Sequence, residues 1–233
     1  MMKLTAYGLA AIIALMLLST SALATGIQPE TSVVIVEESD GEGAINLKND
    51  DPFPLLLLTT LQDVEQQQEK LLSVLPPVAR VEPGKVQRIR FIVTAKAPLK
   101  TERLMRVVFE GVPPQQKDKN QVRLTVRQNL PVIIRPAGLP PDDAPWKRLE
   151  WRFHNGQLSV NNPSPYVIRL EQRVIALPQR ADWQLNHPYI LPGQRLTLSR
   201  QAPQQSGTPR AVRLAPATMW GYSAENYEAP LVP

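Results

Sequence analysis

Val122-Arg123-Leu124-Thr125-Val126-Arg127-Gln128-Asn129-Leu130-Pro131-Val132-Ile133-Ile134-Arg135-Pro136 is the stretch on which the fold turns. Its first part alternates, so a pleated ribbon places Val122, Leu124 and Val126 on one face and Arg123, Thr125 and Arg127 on the other. One face requires a core; the other suits water or charge. Upstream, Thr101-Glu102-Arg103-Leu104 through Phe109-Glu110-Gly111-Val112-Pro113-Pro114 reads as the neighbouring strand. The pair predicts a hairpin whose short, polar, basic loop is residues 115–121.

Outward from this hairpin, strand-like runs recur at 31–37, 44–48, 55–61, 86–93, 103–109 and 122–134, the spacing of a sandwich. Gly41-Glu42-Gly43, Asn49-Asp50-Asp51-Pro52 and Glu82-Pro83-Gly84 supply the turns. Residues 62–72, rich in Glu and Gln, read as a loop. Pro136-Ala137-Gly138-Leu139-Pro140-Pro141-Asp142-Asp143-Ala144-Pro145 interrupts both strand and helix ladders and reads as a stiff hinge. A second series follows at 149–154, 157–161, 166–175, 195–199, 210–214 and around 219–222. The class is all-β, with two β-sandwich domains.

Met1-Met2-Lys3, the apolar run from Leu9 to Leu18 and Ala22-Leu23-Ala24 form an export leader with cleavage expected after Ala24. The run is too short to span a bilayer comfortably and precedes a small-residue cleavage site, so no stable membrane insertion is expected. The expected division is a leader over 1–24, an N-terminal domain over 25–137, the hinge over 138–145 and a C-terminal domain over 146–233. The periplasm is the expected address. Of 233 residues none is cysteine, so no disulfide or thiolate metal site exists and packed cores must hold each domain.

Without Lys3 the mature chain carries 25 Lys and Arg against 21 Asp and Glu. Its arginines are scattered through strand-like segments rather than gathered on one face, which argues against nucleic acid and leaves room for a cationic strip or cleft that favours an acidic partner or a carboxylate. The two histidines both sit at turns: His154 precedes Asn155-Gly156 and His187 precedes Pro188. No nucleophile elbow, zinc-binding helix motif or phosphate-cradling glycine loop is present, so neither catalysis, a metal nor a cofactor is expected. Asp142-Asp143 reads as solvated hinge residues. All four tryptophans fall in the second half, where they build its core or face the cleft.

Four segments resemble the PapD-like periplasmic chaperones of the chaperone–usher pilus pathway, in order and spacing over nearly the whole mature chain. They are Pro76-Pro77-Val78-Ala79-Arg80-Val81-Glu82-Pro83-Gly84 with Arg90; Glu102-Arg103-Leu104 to Val112-Pro113-Pro114; Val122 to Arg135-Pro136; and Leu158-Ser159-Val160-Asn161-Asn162-Pro163-Ser164-Pro165-Tyr166. The resemblance implies two immunoglobulin-like domains at an angle, with a cleft in which a pilus subunit is held before delivery to an outer-membrane usher. It implies that Val122, Leu124 and Val126, extended by Leu130, fill a missing row in the subunit's core. It implies an interdomain ion network with Glu102, Arg135 and an acidic residue near the C-terminus, for which Glu225 is the nearest candidate. The family grips the subunit's C-terminal carboxylate with an arginine and a lysine, at positions that here read Ser32 and Pro131. The anchor therefore moves to another basic group, for which Arg127 is the candidate, or to hydroxyl and backbone donors including Ser32; a different client is the other alternative. Pro131 also removes a ladder donor, so the strand should be unpaired or bent there. The short 115–121 loop is similar to the branch associated with rod-like pili. The competing class is a structural or adhesive two-domain β protein that remains in a surface fibre.

Overall fold

A computed structural model describes residues 26–64, 70–114, 125–200 and 207–232. The leader, the 115–121 loop, Val122 and Leu124 lie outside the described residues. The N-terminal half contains β1 (Ile27–Pro29), β2 (Val34–Glu37), β3 (Glu42–Asn49), β4 (Leu55–Asp63), β5 (Leu72–Leu75), β6 (Val78–Val81), β7 (Val86–Val93), β8 (Arg103–Val112) and β9 (Arg127–Arg135). Their hydrogen-bonded order is β5-β7-β3-β2-β9-β8-β4-β6, with β1 on β3. The path folds at β2, which meets β3 through a single pair, Glu37 with Glu42, and runs parallel to β9 over Val34–Glu37. Ile45, Leu47, Ile89 and Phe91 from one arm and Leu57, Val107, Phe109, Val132 and Ile134 from the other share one buried cluster, which closes the sandwich. Each of these aliphatic side chains contributes about 1.5–3 kcal/mol by leaving water.

The second half contains β10 (Glu150–His154), β11 (Gln157–Asn161), β12 (Ile168–Arg169), β13 (Arg173–Leu177), β14 (Ala181–Gln184), β15 (Tyr189–Ile190), β16 (Arg195–Thr197), β17 (Ser199–Arg200), β18 (Ala211–Leu214) and β19 (Tyr227–Pro230). Sheets β10-β11-β16 and β17-β14-β13-β18-β19, with the small β12-β15 pair, enclose a core around Trp151, Trp183 and Trp146. The fourth tryptophan, Trp220, is exposed. Asn155 and Gly156 both take positive φ, 51° and 76°, and join β10 to β11 as the two-residue turn their dipeptide announces.

Three expectations are corrected. The 62–72 loop is narrower, because β4 continues to Asp63 and β5 opens at Leu72. The single strand expected over 166–175 is two, β12 and β13, because the chain changes sheets at Glu171-Gln172: the Glu171 amide donates to Ala215 O and the Leu185 amide to Gln172 O. Residues 219–222 are a turn closed by the Thr218 and Gly221 amides, and the last strand is β19, whose Tyr-Glu-Ala-Pro carries no alternating pattern.

Candidate functional site

Two features of β9 define the site. On one side it pairs with β8 from Arg127 opposite Glu110 to Ile134 opposite Arg103; on the other it pairs with β2 only from Val132 onward. Among the described residues, Arg127 to Pro131 therefore present an unpaired edge. Pro131 lies inside β9 opposite Arg106 rather than breaking it, at the residue before β2 takes over. A proline is tolerated on such a one-sided stretch because a ladder donor can be missing there.

The same strand carries an apolar row out of the domain. Ile134 and Val132 are buried in the host core, and counting back by twos through Leu130 reaches Val126, which is 53% exposed. The face that builds the host core is thus the one that emerges into the open. Leu130, in the same row, is half-buried and packs against the chain's own core.

At the other end of β9 the opposite face meets the second domain. Glu102 and Arg135 come together, with Arg135 Nε donating to Glu102 Oε1 at 3.4 Å, while their side chains are 7% and 8% exposed. Glu102 also accepts the Val167 amide at 2.9 Å through Oε2, and its own amide donates to Pro165 O at 2.8 Å, so one residue ties the two domains. Burial pushes the Glu102 carboxyl above its ordinary value, against the lowering pull of the Val167 amide and the Arg135 guanidinium. The third member is Glu37 at the end of β2, which accepts from Arg135 Nη1 at 2.6 Å. Glu225 is exposed and makes no such contact, a second correction. Its candidacy rested on sequence proximity to the C-terminus, whereas the parallel β2–β9 register sets Glu37 beside Arg135.

The Asn162–Tyr166 turn presents the Val167 amide. Buried Asn162 donates through Nδ2 to Tyr166 O and Ile190 O and accepts from Ser164 through Oδ1, a clamp that fixes the turn against Glu102.

The two candidate anchors each have a partner within the chain. Arg127 is surface-paired with Glu110 at 2.9 Å, its side chain 66% exposed. Ser32 Oγ donates to Trp220 O at 3.1 Å, which ties β2's approach to the second domain. Gly221 has φ of +87°, and a Cβ there would lie 2.3 Å from Ser32 Oγ. Gly221→Ala is thus expected to cost about 1–3 kcal/mol in denaturant unfolding; an unchanged midpoint would show that the 218–222 turn yields freely.

Between the domains lies a cavity of about 320 Å³ whose walls include Leu104, Pro131, Leu170 and Tyr189, with Arg106 and Arg169. Sequence reading missed both arginines, although period two places Arg106 on the face of Glu102 and Leu104. Arg169 carried no comparable signal, since the break between β12 and β13 hid its direction.

Residues 26–140 match the family model "Pili and flagellar-assembly chaperone, PapD N-terminal domain", and residues 144–223 match "Pili assembly chaperone PapD, C-terminal domain". The chain belongs to the PapD family. It functions as a chaperone in pilus assembly. Among its PapD-family relatives, an Escherichia coli K12 protein named "Uncharacterized fimbrial chaperone YhcA" is 41% identical over 211 residues, 90% of this chain and 92% of the relative. The same architecture occurs in a chain of the Salmonella enterica SafA pilin complex with the SafB chaperone, with TM-score 0.72, 18% identity, and 91% and 99% of the two chains covered. It also occurs in the E. coli chaperone DraB, with TM-score 0.70, 21% identity, and 89% and 97% covered. Two immunoglobulin-like domains with a cleft between them are the PapD-family fold. Among the described residues no helix is long and apolar enough to cross a membrane, and no group of three His, Cys, Asp or Glu side chains is placed to hold a metal.

Proposed function

We propose that this chain, in the periplasm after loss of its leader, captures one pilus subunit by adding the free stretch of β9 to the subunit's unfinished sheet, then passes it to an outer-membrane usher. It does so as a binding partner, without catalysing a reaction. The observation that carries this reading is the unpaired edge from Arg127 to Pro131, with Val126 standing exposed at its tip in line with the host core. An open edge with an apolar row invites pairing, and a subunit lacking a strand supplies both missing partners at once. The alternation of the sequence extends to Val122 and Leu124, which lie outside the described residues, and the proposal counts them with Val126. Glu102, Arg135 and Glu37 hold the domains in the orientation that keeps the cleft open.

Co-expression with the candidate subunits of its own genome should yield a soluble one-to-one complex, read as a single combined mass, in the periplasmic fraction. Recovery of the chain with sheared surface fibres instead would favour a fibre component and sink the chaperone reading.

A further inference from the structure

The linker over residues 136–145 is held from both domains. Prolines at 136, 140, 141 and 145 fix φ along it, which leaves residues 137–139 and 142–144 as its soft stretches. Each soft stretch is clamped. In the first, the Ala137 amide donates to Glu38 Oε2 at 2.8 Å and the Leu139 amide to Pro136 O at 3.2 Å. Glu38 belongs to the N-terminal domain, and its other oxygen accepts the Leu99 amide at 2.9 Å, so the carboxylate is itself held in place. In the second, Asp142 accepts the Ala144 amide at 3.0 Å through Oδ1 and Arg148 Nε at 2.6 Å through Oδ2.

Between the two clamps stands a bond from the second domain. Buried Tyr166 donates its hydroxyl to Pro140 O at 2.8 Å, and the Arg148 guanidinium lies over its ring, 5.5 Å from the centroid. Pro140 precedes another proline, which confines its backbone to extended conformations and so keeps that carbonyl's direction. Tyr166 closes the turn that Asn162 clamps and is followed by Val167, whose amide meets Glu102. Linker and ion contacts thus converge on one turn through different atoms. We infer that Glu38, Asp142 and Tyr166 are positioning residues that make the linker a splint, setting the angle of the cleft independently of Glu102, Arg135 and Glu37. The splint is a property of the free chain; its bearing on subunit capture rests on the strand-addition reading above.

The chain has no cysteine, so Lys85→Cys and Arg195→Cys, exposed in the first and second domains, supply two sites for spin labels and a distance between the domains. In the purified chain that distance should form a single narrow peak. Tyr166→Phe keeps the ring and loses one bond; Glu38→Ala loses two. For each bond lost the other orientations should gain about twofold to tenfold in population, broadening the peak. Glu38→Gln keeps one oxygen acceptor and should broaden it less than Glu38→Ala. A merely structural Tyr166 would lower the unfolding midpoint and leave the peak as it was. Glu38 is half-buried in the short Glu38–Asp40 turn, so Glu38→Ala remains informative if Tyr166→Phe folds poorly. A broad peak in the unaltered chain, or an unbroadened one in both substitutions and their combination, would overturn the splint whatever the midpoint. Recovery of a co-expressed pilus subunit should fall by no more than the same factor, since only the competent orientation binds. Broadening with undiminished recovery would overturn the bearing on capture. No complex with the unaltered chain would remove strand addition, while the distances still decide the splint.

Discussion

A Val126→Asp chain should unfold at the same denaturant concentration as the unaltered protein and carry no pilus subunit. The first half follows from exposure: Val126 is half in solvent and outside the host core, so a charge there costs the free chain little. The second follows from what capture demands of it. Seating the side chain in a subunit's core is worth about 1.5–3 kcal/mol for valine, and aspartate forfeits that gain while burying a carboxylate with no partner, at a further cost of several kcal/mol. At 1.4 kcal/mol per tenfold, capture should weaken by at least about a thousandfold. Thr125→Asp, on the other face, should weaken it far less. Complex recovered after co-expression is the measurement; equal recovery for the two substitutions would mean that the strand presents another face.

Glu102→Ala should be the most damaging single change to the joint between the domains. It removes the carboxylate that accepts from both Arg135 and the Val167 amide, leaving the Arg135 guanidinium 8% exposed with only the half-exposed Glu37. Breaking such a buried pair from one side costs about 3–5 kcal/mol, most of it the burden of the stranded charge. Unfolding should lose cooperativity as the domains part. Glu102→Gln should be milder, since an amide oxygen still receives the Val167 N–H.

The pH dependence separates these cases further. Burial holds the Glu102 carboxyl above its ordinary value, so the folded chain binds this proton more tightly than the unfolded one. The contribution from this group is fully present below the ordinary carboxylate value and is lost as pH rises through the raised one. Glu102→Gln should flatten that slope in a titration of unfolding free energy, and an unchanged slope would place its source elsewhere.

The legible part of the molecule was its alternation. Val86–Val93 and Gln157–Asn161 fall where the pattern puts them, because an antiparallel strand with one wet face must alternate. Short strands that serve as patches between larger sheets, β12 and β15 above all, carry too few residues for any period to register. The site divides in the same way. Glu102 and Arg135 were visible as charges at fixed places in strands, whereas Glu37 depended on a parallel register that bridges 98 positions of sequence. The cavity arginines depended on how one domain faces another, which no local pattern encodes.

Strand β9 is clamped at Arg135 by carboxylates on both flanks and leads out towards exposed Val126 supported on one side alone for its outer half. A load on that outer half is therefore carried into the N-terminal sandwich through the β8 pairing alone.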